Sequence, residues 1–220
     1  MATDAGSYTD VGWQLSCPPV DTALIDALAA AHLGHGERNL LTCPLVQAWI
    51  ARPEVAALVS TCLGPDAEPL AATWFDKQDA ANWRVPWHQD LHAALVPFTA
   101  EGWGPWSDKH GVPHVRLPPA WATGRVALRL FVDACDADNG PLHVLPGTHR
   151  AGVLAPEAIE AASAGAPVVM TGPRGAVLAM HPLVLHRSPP ARRPAHRRVL
   201  HVEWCALPPP VGARWKDLIP

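Results

Sequence analysis

The stretch Trp83-Arg84-Val85-Pro86-Trp87-His88-Gln89-Asp90 decides how the chain is read. Side chains alternate faces on a strand, so His88 and Asp90 point one way and Gln89 the other. Two metal-ligating groups then share one wall. A histidine from a distant strand, His186, would complete two imidazoles and one carboxylate on one face of a metal. With the opposite positions open, that is the donor set of non-haem Fe(II) oxygenases. Arg197, eleven positions beyond His186, offers a planar, permanently charged fork for the distal carboxylate of 2-oxoglutarate, the usual co-substrate beside O2.

The choice of His186 among twelve histidines follows from position. His181 is followed by Pro182, and His196 and His201 lie on the arginine's own strand. His143 and His149 flank the turn Pro146-Gly147-Thr148 and read as structural groups. Gln89, pointing away from the metal, reads as support for its neighbours' backbone.

Working outward, short apolar or alternating runs fill the chain after Pro65. They cover Pro69 to Phe75, Val85 to Leu91, Val126 to Val132, Leu142 to Leu145, Val168 to Thr171, Ala176 to Met180, Leu183 to His186 and Arg197 to Cys205. Gly, Pro and Asn/Asp turns separate them. Eight short strands with proline-rich connections predict a mainly β fold, a cupin-like jelly roll. Ahead of them Asp21 is placed to cap a helix over Thr22 to His32, ended by Gly34. Prolines open two more helices, Pro44 to Ala51 and Pro53 to Leu63. These N-terminal helices are expected to pack against the barrel. Residues 1–18 carry few periodic signals and predict an extended or partly mobile arm.

At 220 residues the length predicts one domain, 1–220, and 49% hydrophobic residues allow a substantial core. A net charge of -3 with mixed signs shows no basic footprint of a nucleic-acid binder. No apolar run approaches membrane-spanning length, and the N-terminus lacks a basic patch before an apolar stretch. A soluble cytoplasmic protein acting on a small molecule is expected, with monomer and homodimer both open. The five cysteines are scattered and never form C-x-x-C, so they read as reduced thiols rather than disulfides or a zinc site.

The segment 92–124 is too long for an idle connection and predicts an active-site loop or lid. Trp103 and Trp106 lie in it, and such aromatics can enclose a substrate or pin the loop to the barrel. Both readings stay open here.

The chain resembles the phytanoyl-CoA dioxygenase family in its smaller bacterial branch. The resemblance is carried by Phe75-Asp76-Lys77, Asn82 through Asp90, Gly102 to Trp106, Gly111-Val112-Pro113-His114, Asn139-Gly140-Pro141-Leu142, Pro146 through Arg150, His186-Arg187-Ser188 and Arg197-Arg198. These blocks run in family order from about residue 37 to residue 204. The resemblance implies a double-stranded β-helix, Fe(II) on His88, Asp90 and His186, and 2-oxoglutarate on Arg197 with help from Ser188. It also implies hydroxylation, desaturation or cyclisation, since Asp90 stands where related halogenases have a small residue. The chain is shorter than the family's CoA-ester hydroxylases, so that substrate does not carry over.

Remaining candidates have paired readings. Arg129, a charge in an apolar strand, either grips a carboxylate in the cavity or pairs with Glu203 or Asp133. Lys77 either meets an acidic substrate or is an exposed lysine. Asn82 either bonds the co-substrate or makes a turn. A different class of function also fits the same fold: a cupin-like metal protein acting without 2-oxoglutarate, as an isomerase, lyase or binding module.

Overall fold

In the computed structural model, which describes residues 7–31, 33–109 and 111–215, a short helix α1 (Tyr8–Val11) and strand β1 (Trp13–Ser16) precede three helices, α2 (Thr22–Ala30), α3 (Pro44–Ile50) and α4 (Pro53–Leu63). Strands β2 (Glu68–Lys77), β3 (Val85–His88), β4 (His92–Ala94), β5 (Trp106–Lys109) and β6 (Val112–Arg116) follow, then helix α5 (Pro119–Thr123). The chain continues through β7 (Arg125–Phe131), β8 (Leu142–Leu145), α6 (Pro156–Ala162), β9 (Val168–Met170), β10 (Val177–Met180), β11 (Leu185–Ser188) and β12 (Arg197–Cys205). Asp21 caps α2 by accepting from Leu24 N at 3.0 Å, and Pro44 and Pro53 open α3 and α4, where a missing N–H costs nothing.

Three antiparallel sheets form, in the orders β1-β10-β7-β12-β2, β3-β11-β8-β9 and β4-β6-β5. Side-chain parity explains how they pack. On β12, Leu200, Val202 and Trp204 join the cluster that α2, α3 and α4 cover, with Leu128, Leu130 and Val177. Val199 faces the other way, into a second core shared with Val144 and Met170 of the four-stranded sheet. Both faces of the five-stranded sheet are therefore buried, which is why β7 reads Arg-Val-Ala-Leu-Arg-Leu-Phe without an exposed position. This is the jelly roll fronted by N-terminal helices that the strand pattern predicts.

Two segments differ from expectation. The arm contains β1, which pairs antiparallel with β10 from Trp13 opposite Met180 to Ser16 opposite Val177 and buries Trp13. Residues 1–6 lie outside the described residues, as does His32 at the predicted end of α2. Segment 92–124, expected as a loop, forms the whole β4-β6-β5 sheet and α5. It rests on its own core, where Ala93, Leu95 and Val115 meet Leu70, Leu183 and Trp215.

His181, in the turn between β10 and β11, accepts from Leu183 N at Nδ1, 3.0 Å away, and lies 5.1 Å from the His149 ring. Burial and then the His149 charge push its pKa down from 6.5 to about 4. Below pH 6.5 the unfolded chain takes a proton there that the folded chain refuses. Its contribution to stability is thus lost as pH falls from about 6.5 toward about 4. Melting temperatures across that window should fall less steeply for His181→Asn than for the unaltered protein; parallel curves would rule out this role.

Candidate active site

The two histidines of the predicted triad meet as a cross-strand pair, with His186 on β11 in register with His88 on β3 and the rings 4.1 Å apart. His186 opens its strand region rather than ending one, and β3 stops at His88, so Asp90 stands just past the strand. Its backbone N–H is held by Pro182 O at 2.8 Å, which keeps the carboxyl level with the rings. One carboxylate oxygen lies 3.5 Å from His88 Nε2 and the other 3.4 Å from His186 Nε2. All three donor atoms fall within 4.8 Å of one another.

Local bonds set the tautomers. His88 Nδ1 donates to Pro86 O and His186 Nδ1 to Val184 O, each at 2.9 Å. A carbonyl only accepts, so the proton sits on Nδ1 and each Nε2 turns a lone pair inward. Burial opposes ionisation of Asp90; without a metal, protonation of the His186 and His88 rings outweighs it and holds the carboxyl well below the usual range. With both rings neutral a cation has to take the place of those protons. Three acceptors facing one another call for a cation, and two imidazoles with one carboxylate suit Fe(II).

Gln89 supports this wall from behind. Its Nε2 donates to Leu183 O at 2.7 Å and Gly152 O at 2.9 Å, while Oε1 accepts from Leu154 N at 2.8 Å. One amide between the two ligand positions therefore ties three separate backbone segments together.

The triad opens on a cavity of about 550 Å³ walled by residues of all three sheets. Arg197, 3% exposed, begins β12 opposite Lys77 of β2. Among the described residues the Arg197 side chain has no ion pair or hydrogen bond, and its Nε is buried without a partner. Arg129 also faces the cavity and bonds His201 Nδ1 at 2.9 Å. It pairs with neither expected acid, because Glu203 is taken by Arg125 at 2.6 Å and Asp133 by Arg198 at 2.7 Å. Burial, then the Arg197 charge, lowers Arg129 to about 10.

Lys77 is fully buried rather than exposed and does not line the cavity. Its Nζ donates to Ser188 Oγ at 2.8 Å and Pro189 O at 2.6 Å and lies over the Trp83 ring. Burial first, then Arg197 and Arg129, lowers its pKa to about 7. Gly140 makes room for it: a Cβ there would stand 2.7 Å from Lys77 Cδ, and φ is +78. Ser188 lines the cavity, and since its oxygen accepts from Lys77, its own proton is free for a cavity ligand.

Other predicted residues lie elsewhere. Asn82 is not on the cavity wall; its side chain bonds both backbone groups of Ala191, at 2.7 and 3.0 Å, so it fixes the turn before β12. Trp103 and Trp106 stand outside the cavity. They pack edge-on around Phe98, with Trp103 also on Trp121, and pin the small sheet to the barrel. In their place segment 92–124 sends His92, Lys109 and His114 to the cavity wall, and Arg38 joins them from the stretch before α3. Sequence reasoning missed these four as cavity residues, since single basic or imidazole side chains among unlike neighbours carry no periodic signal.

A jelly roll with two histidines and an aspartate converging at its mouth defines a non-haem iron oxygenase. The chain belongs to the phytanoyl-CoA dioxygenase (PhyH) family, whose model matches residues 26–199. Its fold is shared by AviO1 from Streptomyces viridochromogenes Tue57, at 18% identity and a TM-score of 0.66 over 92% of this chain and 94% of that one. EctD from S. alaskensis, solved with 2-oxoglutarate and 5-hydroxyectoine, matches at 16% and 0.66 over 93% and 78%. HygX from Streptomyces hygroscopicus, solved with iron, matches at 11% and 0.65 over 90% and 83%. No curated protein sequence matches the chain. Among the described residues no helix is long and apolar enough to cross a membrane.

Proposed function

We propose that this chain is a 2-oxoglutarate-dependent dioxygenase that hydroxylates, or by the same chemistry desaturates or cyclises, a small metabolite. One observation carries the 2-oxoglutarate assignment. Lys77, Arg129 and Arg197 are all buried, the Arg197 charge lies close enough to lower both of the others, and no carboxylate among the described residues forms an ion pair with any of them. Buried cations are costly without a counter-charge, and a dicarboxylate reaching down from the metal supplies one. The co-substrate found in the EctD structure has that shape. A cupin-like protein working without a keto acid has no use for three converging cations.

His88, Asp90 and His186 would hold Fe(II). With 2-oxoglutarate and O2 it supplies oxidation of an unactivated C–H bond, chemistry that belongs to the cofactor. The chain's own residues do the rest. Arg197 pairs with the far carboxylate and fixes the co-substrate's direction, and Ser188 donates its hydroxyl proton to the same group. Lys77 holds Ser188 in that orientation, while Arg129 adds positive potential. Phe75, Trp83 and Leu142 wall the cavity and limit water. Its volume suits a metabolite-sized ligand.

Anaerobic addition of 2-oxoglutarate to the Fe(II)-loaded protein should raise a weak visible charge-transfer band. Tight iron binding with no band would overturn the keto-acid assignment and leave the cupin-like reading.

A further inference from the structure

The cavity holds a second group of cations that the proposed chemistry leaves unused. Arg38 comes from the stretch 35–40, which is laced along the free edge of β2 by Asp76 N to His35 O, Trp74 N to Glu37 O and Leu40 N to Ala72 O. Lys109 ends β5. Both are half-buried and line the cavity. Among the described residues neither has an ion pair or a hydrogen bond through its side chain, and Arg38 Nε is buried without a partner.

The two are neighbours, since the Arg38 charge, after burial, is what lowers Lys109. They stand apart from Arg197 and Lys77, while Arg129 is level with them but two strands across, on β7 opposite His201, to which it bonds. Arg38 lies beside Thr73, whose partner on β12 is His201, whereas Arg197 is at the strand's start opposite Lys77. Four strand residues separate the two levels, roughly 13 Å at a strand's rise.

The cavity's two acids, Asp90 and Glu203, act on Lys109 from a distance, but neither forms an ion pair with it or with Arg38. Asp90 belongs to the metal centre, and Glu203 is held by Arg125 at 2.6 Å. Among the described residues the unpaired charge at this end is therefore positive. An ammonium group entering here would meet repulsion, and a neutral molecule would leave two cations unsatisfied.

We propose that the substrate carries an anionic group, a carboxylate or a phosphate, and that Arg38 and Lys109 hold it at the end of the cavity away from Arg197. This rests on the oxygenase reading of the cavity and narrows its substrate class. Anchoring at one end leaves the rest of the molecule extending toward His88 and His186, where its C–H bonds can be oxidised.

Calorimetric titration of the protein loaded with Fe(II) and 2-oxoglutarate under anaerobic conditions tests this, with benzoate, phenyl phosphate and uncharged benzyl alcohol as probes. At least one anion should bind, more weakly as salt rises, and benzyl alcohol should not. The tighter of the two anions identifies the group. Arg38→Gln and Lys109→Gln should each weaken that anion roughly tenfold, leave 2-oxoglutarate affinity unchanged, and melt no lower than the unaltered protein, because each removes a like-charge repulsion. Failure of both anions to bind, equal binding of benzyl alcohol, or anion affinity unmoved in both variants would overturn the proposal. Loss of 2-oxoglutarate binding in the unaltered protein would instead bring down the oxygenase reading, and this inference with it.

Discussion

Asp90→Ala protein should show no turnover above background, and its Fe(II) affinity should drop by about a hundredfold or more. Replacing even a neighbour of a metal ligand costs roughly ten- to a hundredfold, and Asp90 supplies the only anionic donor of the three. Without it two neutral imidazoles remain, a set that holds a divalent hard ion poorly. The fold should persist. Asp90 side-chain exposure is 31%, its backbone bond to Pro182 O survives the substitution, and no core cluster includes it, so the metal-free variant should melt within a few degrees of the unaltered protein. Iron-dependent turnover that survives Asp90→Ala would refute the ligand assignment.

Arg197→Met should separate two properties that the unaltered protein couples. Affinity for 2-oxoglutarate should fall about a hundredfold, the worth of a buried charge-assisted pair, with Fe(II) affinity retained. The ligand-free variant should melt higher than the unaltered protein. Its methionine replaces a guanidinium that burial already disfavours and that Lys77 and Arg129 repel. Conversely, 2-oxoglutarate should raise the melting temperature of the unaltered protein and barely move that of the variant. A variant with unchanged keto-acid affinity, or one destabilised without ligand, would mean that Arg197 has a structural role only.

The metal wall was the most legible part of the chain. Strand parity predicts His88 and Asp90 on one side and Gln89 on the other; β3 in fact ends at His88, the bond from Asp90 N to Pro182 O keeps the carboxyl on that side, and Gln89 is bonded to the backbone behind. The barrel strands were readable because they are apolar runs between glycine and proline turns. What escaped was set by tertiary contact. β1 is only Trp-Gln-Leu-Ser, too short to alternate visibly, and it becomes a strand because β10 offers it an edge. The β4-β6-β5 sheet is built from three-, five- and four-residue strands, one interrupted by Pro113, and it gains stability from the core under it rather than from local propensity. Lys77 could not be placed from its neighbours in sequence, because its partners Ser188 and Pro189 lie more than a hundred residues away. Trp103 and Trp106 were read as either pocket wall or packing, and they pack.

The stretch 35–40, hung on the outer strand of the barrel by three backbone bonds, has an evolutionary corollary. Under our reading the oxidising machinery belongs to the two large sheets, whereas Arg38 and Lys109 sit on attachments to the barrel's rim. Drift in those attachments can change what the protein accepts without disturbing how it reacts. One ancestral scaffold can thereby diversify its diet while its inner workings stay the same.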